Sequence, residues 1–139
     1  MPVPVPLDDR TPMPTTIVPR SRVLVVDDEP SIRTVARLML ERAGYAVVEA
    51  ANAAEAVSQA TLAERPFTVV VLDFTLPDRS GTDLLPELRR LVSRARIVLT
   101  SGRPEDDFPN HGADGYLAKP FSRDHLVAAV RAVTALTPW

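Results

Sequence analysis

The run Arg22-Val-Leu-Val-Val26, which ends in Asp27 and Asp28, decides how this chain folds. Thr68-Val-Val-Val-Leu72 runs in the same way into Asp73, and Ala95-Arg-Ile-Val-Leu99 runs into Thr100. A fourth short segment, Tyr116–Ala118, runs into Lys119-Pro120. Continuous Val/Ile/Leu runs of this length read as strands buried on both faces, as in a parallel sheet. In such sheets ligands sit beyond the carboxyl ends of the strands. Three carboxylates, one hydroxyl and one ammonium are therefore expected around a single small volume.

Helical patterns alternate with these runs. A helix is expected over about Ser31–Ala43, with Ile32, Val35, Ala36 and Met39 on one face, Pro30 in its first turn and Gly44 at its end. Tyr45–Glu49 reads as the next strand. Asn52 caps a helix over about Ala53–Ala63, with Ala53, Ala56, Val57 and Ala60 on one face. The strand Phe67–Leu72 precedes a helix over about Gly81–Ser93, with Leu84, Leu88 and Leu91 inward. Pro86 is expected to delay or bend that helix. A last strand, about Gly115–Ala118, leads to a helix over about Arg123–Leu136, with Leu126, Ala129, Val130 and Val133 in one stripe. The fourth helical segment, between Thr100 and Gly112, contains Pro104 and Pro109 and has room for one or two turns at most. This alternation implies right-handed βαβ crossovers: an α/β domain whose parallel sheet carries helices on both faces.

Residues 1–20 hold six of the 14 prolines and read as a disordered, Pro-rich tail before a domain at 21–137. A net charge of −2 gives no basic footprint for nucleic acid. The chain has no cysteine, so disulfides and thiolate metal sites are excluded. No stretch approaches the roughly 18 apolar residues of a membrane span, and the N-terminus has no signal-peptide pattern, so a cytoplasmic location is expected. His111 and His125 have no spaced partners and read as surface histidines. Arg89 and Arg90 read as the solvated face of a helix end, and Trp139 as an exposed terminal residue.

Two carboxylates about 4 Å apart repel by roughly 4 kcal/mol at an effective dielectric near 20. With three such groups at neighbouring strand ends, either some are protonated or a cation is meant to sit there. A hard cation with oxygen ligands fits, and Mg²⁺ typically takes one or two carboxylates, waters and a substrate phosphate.

The pattern Val-Val-Asp27-Asp28-Glu, Leu-Asp73-Phe-Thr-Leu-Pro77-Asp-Arg-Ser-Gly81, Leu-Thr100-Ser and Gly-Tyr116-Leu-Ala-Lys119-Pro120-Phe resembles the receiver domain of response regulators in two-component signalling. The resemblance covers about residues 21–136. It implies a flavodoxin-like, doubly wound sheet of five strands in the order 2-1-3-4-5. It implies that Asp73 accepts a phosphoryl group from a phosphohistidine. Asp28 would hold Mg²⁺ directly, Asp27 largely through water, and Thr75 through its backbone carbonyl. Lys119 and Thr100 would each contact a phosphoryl oxygen, with a cis peptide bond before Pro120 aiming Lys119. Thr100 and Tyr116 would form the switch that alters a surface built from the fourth helical segment, the last strand and the last helix. The small residues Thr75 and Gly102 would leave water access to the phosphate and shorten its lifetime.

No output domain follows the last helix in this sequence, which reads as a stand-alone receiver. It would act with a sensor histidine kinase or histidine phosphotransfer protein and a downstream protein, as a monomer or a phosphorylation-dependent dimer. No nucleic-acid or membrane contact and no separate enzymatic turnover are expected. A degenerate receiver acting only as a binding module is the alternative. A phosphohydrolase of the haloacid-dehalogenase type is disfavoured, because such enzymes resemble Asp-x-Asp and this chain has Thr75 at the second position.

Overall fold

Residues 21–135 are described by a computed structural model; the tail at 1–20 and Trp139 lie outside the described residues. The elements run β1 (Arg22–Val26), α1 (Pro30–Arg42), β2 (Ala46–Ala50), α2 (Ala53–Leu62), β3 (Val69–Asp73), α3 (Gly81–Leu91), β4 (Arg96–Ser101), β5 (Gly115–Ala118) and α4 (Arg123–Thr134). One 3₁₀ turn, Glu105–Asp107, occupies the link between β4 and β5. Pro104 and Pro109 flank it, and the one to two turns allowed by the sequence become this single turn.

The sheet is parallel throughout, in the order β2-β1-β3-β4-β5. All five residues of the central strand β3 are buried, whereas the edge strands β2 and β5 are mostly half-exposed. Crossovers from β1 run one way and those from β3 the other. The carboxyl ends of β1 and β3 therefore border the topological switch point, where such sheets bind ligands.

Strand alternation sorts the core into two layers. Val23, Val25, Val69, Val71, Val98 and Leu117 face α1 and α4. Leu24, Val26, Val70, Leu72, Ile97 and Leu99 face α2 and α3. The helix stripes differ in part from the sequence expectation. In α1 the fully buried residues are Ala36 and Leu40, four apart, while Val35 is 45% exposed. Among the described residues, α4 is the helix that flanks α1 on its face of the sheet, so a narrow line of contact suffices. In α3, Leu85 is buried and Leu91 faces solvent; in α4, Val127 is buried and Ala129 is only half-buried.

Pro86 does not delay α3. The helix starts at Gly81, where the Ser80 side chain accepts the Asp83 N–H. Burial of Leu84, Leu85 and Leu88 outweighs the backbone hydrogen bond that Pro86 cannot make. The same helix start presses on the end of β3: the Gly81 N–H donates to the Phe74 carbonyl at 2.7 Å. A Cβ at residue 81 would lie 2.4 Å from the Asp73 carbonyl oxygen and 2.9 Å from the Phe74 Cα. Both are backbone atoms and cannot swing aside. Gly81→Ala is expected to destabilise the domain by about 1–3 kcal/mol. Urea unfolding would show this as a lower midpoint at an unchanged slope.

Candidate functional site

One face of the sheet delivers the chemistry to one end. Following the alternation Val23, Val25, the next residue on that face is Asp27; following Val69, Val71, it is Asp73. Val98 leads to Thr100, and Leu117 leads to Lys119. Register aligns the four. Val26 pairs with Leu72, Asp73 pairs with Thr100, and Ser101 pairs with Ala118. The Lys119 N–H then donates to the Ser101 carbonyl at 2.7 Å.

At the mouth, Lys119 Nζ lies 2.8 Å from Asp27 Oδ2 and 3.2 Å from Asp73 Oδ1. Asp27 Oδ1 accepts the Glu29 N–H at 2.9 Å, and Asp73 Oδ1 accepts the Thr75 N–H at 3.3 Å. Asp27, Asp73 and Thr100 are buried, and Asp28 is exposed beside them. One carboxylate oxygen from each of Asp27, Asp28 and Asp73 lies within 4.8 Å of the others. Thr75 lies two residues past Asp73 in the loop after β3, and the Lys119–Pro120 peptide bond is cis.

Burial, then the charge of Asp27, pushes the Asp73 carboxyl up to about 6, against the pull of Lys119 and the Thr75 N–H. Burial alone would lower the pKa of Lys119. Its hydrogen bond to Asp27 and the charges of Asp73 and Asp27 outweigh burial and hold the ammonium above its ordinary range. Three carboxylates, two of them buried, against one ammonium leave an excess of negative charge at this mouth. An all-oxygen donor set of this kind fits a hard divalent cation.

Tyr116 stands on the opposite layer, with Phe74. Its hydroxyl donates to the Arg103 carbonyl. Its ring lies 6.0 Å from Phe108, whose ring is 4.5 Å from that of Phe74. His111 is not the surface residue expected. Its side chain is only 11% exposed, its ring lies 5.9 Å from Tyr116, and its Nε2 is 3.1 Å from a Glu105 oxygen. The Ala113 N–H donates to its Nδ1 at 2.9 Å. His125 is exposed, as read from the sequence. Arg89 also departs from expectation: it donates to the Gly112 carbonyl at 2.6 Å and pairs with Asp114 at 3.1 Å, pinning the link to β5.

Two contributors had no local signal. Asp78, in the loop after β3, accepts the Ala53 N–H at 2.9 Å and the Ala54 N–H at 3.0 Å. Those two bonds at the start of α2, the Ala53 bond foremost, hold its carboxyl below the usual range. Phe108 fills the space beside β5 left by the missing helix. Both contacts join segments about 25 residues or more apart, beyond the reach of a periodicity reading.

A family profile described as "Response regulator receiver domain" matches residues 23–131. The chain is 42% identical over 113 residues to the transcriptional regulatory protein KdpE of Mycobacterium tuberculosis, covering 79% of this chain and 49% of that protein. It resembles the solved CheY-like receiver domain protein of Methanospirillum hungatei at a TM-score of 0.74 and 28% identity, over 83% of this chain and 94% of that one. It also resembles response regulator TrrA of Thermotoga maritima, solved in complex with Mg²⁺–BeF, at a TM-score of 0.71 and 31% identity, over 81% of this chain and 98% of that one. The chain spans about half the length of the curated relatives it matches. Those relatives are named as transcriptional regulators, so they lend no support to a stand-alone chain or to the absence of a nucleic-acid partner. Among the described residues no helix is long and apolar enough to cross a membrane.

The raised pKa of Asp73 has a consequence for stability. Its folded value of about 6 lies above the unfolded value near 3.9, so the native state holds the extra proton between them. The stability this contributes is full below about pH 4 and is lost as pH rises through about 6. In metal-free buffer at pH 7, Asp73→Asn is expected to be more stable than wild type by on the order of 2 kcal/mol. The gap should close toward pH 4 in thermal unfolding scans.

Proposed function

Because the chain belongs to the response regulator receiver family, we propose that Asp73 accepts a phosphoryl group from a phosphohistidine on a sensor histidine kinase or histidine phosphotransfer protein. The observation that carries this reading is the Lys119 ammonium set between Asp27 and Asp73, with Asp28 completing the acidic cluster. Receiver domains bind Mg²⁺ at such a cluster, and here Asp27, Asp28, Asp73 and the Thr75 carbonyl would hold it. Bound there, the ion neutralises the carboxylates and the charge on the transferring group.

The rest falls to the chain's own residues. Both polar contacts of the Asp73 carboxyl fall on Oδ1, which leaves Oδ2 to attack phosphorus. The new O–P bond forms as the P–N bond breaks, and its electron pair stays with the imidazole nitrogen. Lys119 then exchanges Asp73 Oδ1 for a phosphoryl oxygen and keeps its contact with Asp27. The Thr100 hydroxyl, in register with Asp73, donates to a second phosphoryl oxygen.

Thr100 and Tyr116 form the readout. Tyr116 is tied to the Arg103 carbonyl and packs against Phe108 and His111, so displacement of the Thr100 end of β4 reaches the 102–114 segment through the main chain. That segment, β5 and α4 make the surface offered to the downstream partner.

Incubation with acetyl phosphate and Mg²⁺ should add the mass of one phosphoryl group to the wild type and none to Asp73→Asn. No gain in either protein, under conditions that label a control receiver, would make the chain a phosphorylation-independent binding module. Continuous release of phosphate from unrelated esters would overturn the reading in favour of a hydrolase.

A further inference from the structure

Arg33 touches no carboxylate of the acidic cluster by its side chain, yet it holds the backbone from which two of them project. One turn into α1, its NH1 group donates to the Asp27 carbonyl oxygen at 2.7 Å. Its Nε donates to Glu49 Oε1, on β2, at 3.0 Å. The other Glu49 oxygen accepts Arg37 Nε at 2.5 Å. The Arg33 side chain is 17% exposed, so this fork sits largely out of solvent.

The Asp27 carbonyl and the Asp28 N–H belong to one planar peptide unit. Fixing the carbonyl fixes that plane, and with it the direction in which Asp28 leaves the strand. The remaining polar groups of Asp27 are held as well. Its N–H donates to the Ala50 carbonyl at 3.1 Å, Oδ1 accepts from Glu29 and Oδ2 from Lys119. Asp28 is exposed, so its aim depends on the peptide that precedes it.

We propose that Arg33, oriented by Glu49, is a positioning residue that sets the Asp27–Asp28 peptide so that both carboxylates converge with Asp73 on one divalent cation. The inference rests on the reading that this cluster holds Mg²⁺. The competing account is that Arg33, Glu49 and Arg37 merely strap α1 to β2. Arg37 separates the two, because it shares Glu49 and never meets Asp27.

The test is a calorimetric Mg²⁺ titration of the full chain, with urea unfolding of each variant alongside. Outer partners that orient metal ligands typically contribute 10–100-fold in metal affinity. Arg33→Ala is expected to weaken Mg²⁺ binding about 10-fold. Its labelling rate with acetyl phosphate should return to the wild-type maximum when Mg²⁺ is raised. Arg37→Ala should cost stability but leave Mg²⁺ affinity within about twofold of wild type, well short of that range. Should Arg33→Ala fail to fold, Arg33→Lys and Glu49→Gln carry the test, each expected to weaken Mg²⁺ binding to a smaller extent. Wild-type Mg²⁺ affinity in a folded Arg33 variant, or equal weakening by Arg37→Ala, would overturn the positioning role. A wild-type chain that binds no Mg²⁺ would overturn the underlying site reading instead.

Discussion

A single ammonium, that of Lys119, is shared between the carboxylates of Asp27 and Asp73, and the rest of the site is arranged around it. Burying two acidic groups side by side is unfavourable unless a positive charge is fixed between them. That requirement dictates where β5 ends and how it registers with β4, since one residue of slip would turn Lys119 to the other layer. Lys119 is the only lysine among the 16 Lys and Arg residues of the chain. A planar guanidinium would favour two-pronged pairing with one carboxylate. The compact, rotatable ammonium reaches both.

The inner strands β1, β3 and β4 were legible because burial on both faces erases periodicity and leaves a run of apolar, mostly β-branched residues with chemistry at its end. Asp27, Asp73 and Thr100 could be grouped from the sequence for the same reason, and Lys119 because it ends a short strand before Pro120. The helices were legible as elements but less so in facing. Choosing Val35 over Leu40, or Leu91 over Leu85, requires knowing which neighbour lies across, and that is a tertiary fact. The side chains that hold the site in place were the least legible. Arg33 reaching Glu49, Asp78 reaching Ala53 and Arg89 reaching Gly112 join positions 16 to 25 residues apart with no repeating pattern.

The link between β4 and β5 shows how the domain closes its core without a helix there. Phe108 packs on Phe74, Tyr116 ties its hydroxyl to the Arg103 carbonyl, and His111 fits between Glu105 and the Ala113 N–H. Buried aromatic area supplies what a helix stripe would otherwise provide. Arg89 and Asp114 anchor the far end, where the Asp114 carboxylate also accepts the Ile97 N–H at 2.8 Å.

Strand alternation connects this link to the acidic pocket. Asp73 and Phe74 are consecutive residues, yet one belongs to the acidic cluster and the other packs against the α2–α3 layer. Thr100 and its neighbour Leu99 divide in the same way, and Leu99 registers with Tyr116. The Phe74 N–H donates to the Thr100 carbonyl at 2.8 Å, joining the two strand ends by main chain. A change in charge at Asp73 therefore acts on backbone whose next side chain already lies 4.5 Å, ring to ring, from Phe108. Passage from the acidic layer to the aromatic layer takes one peptide unit, because successive side chains on a strand point to opposite faces.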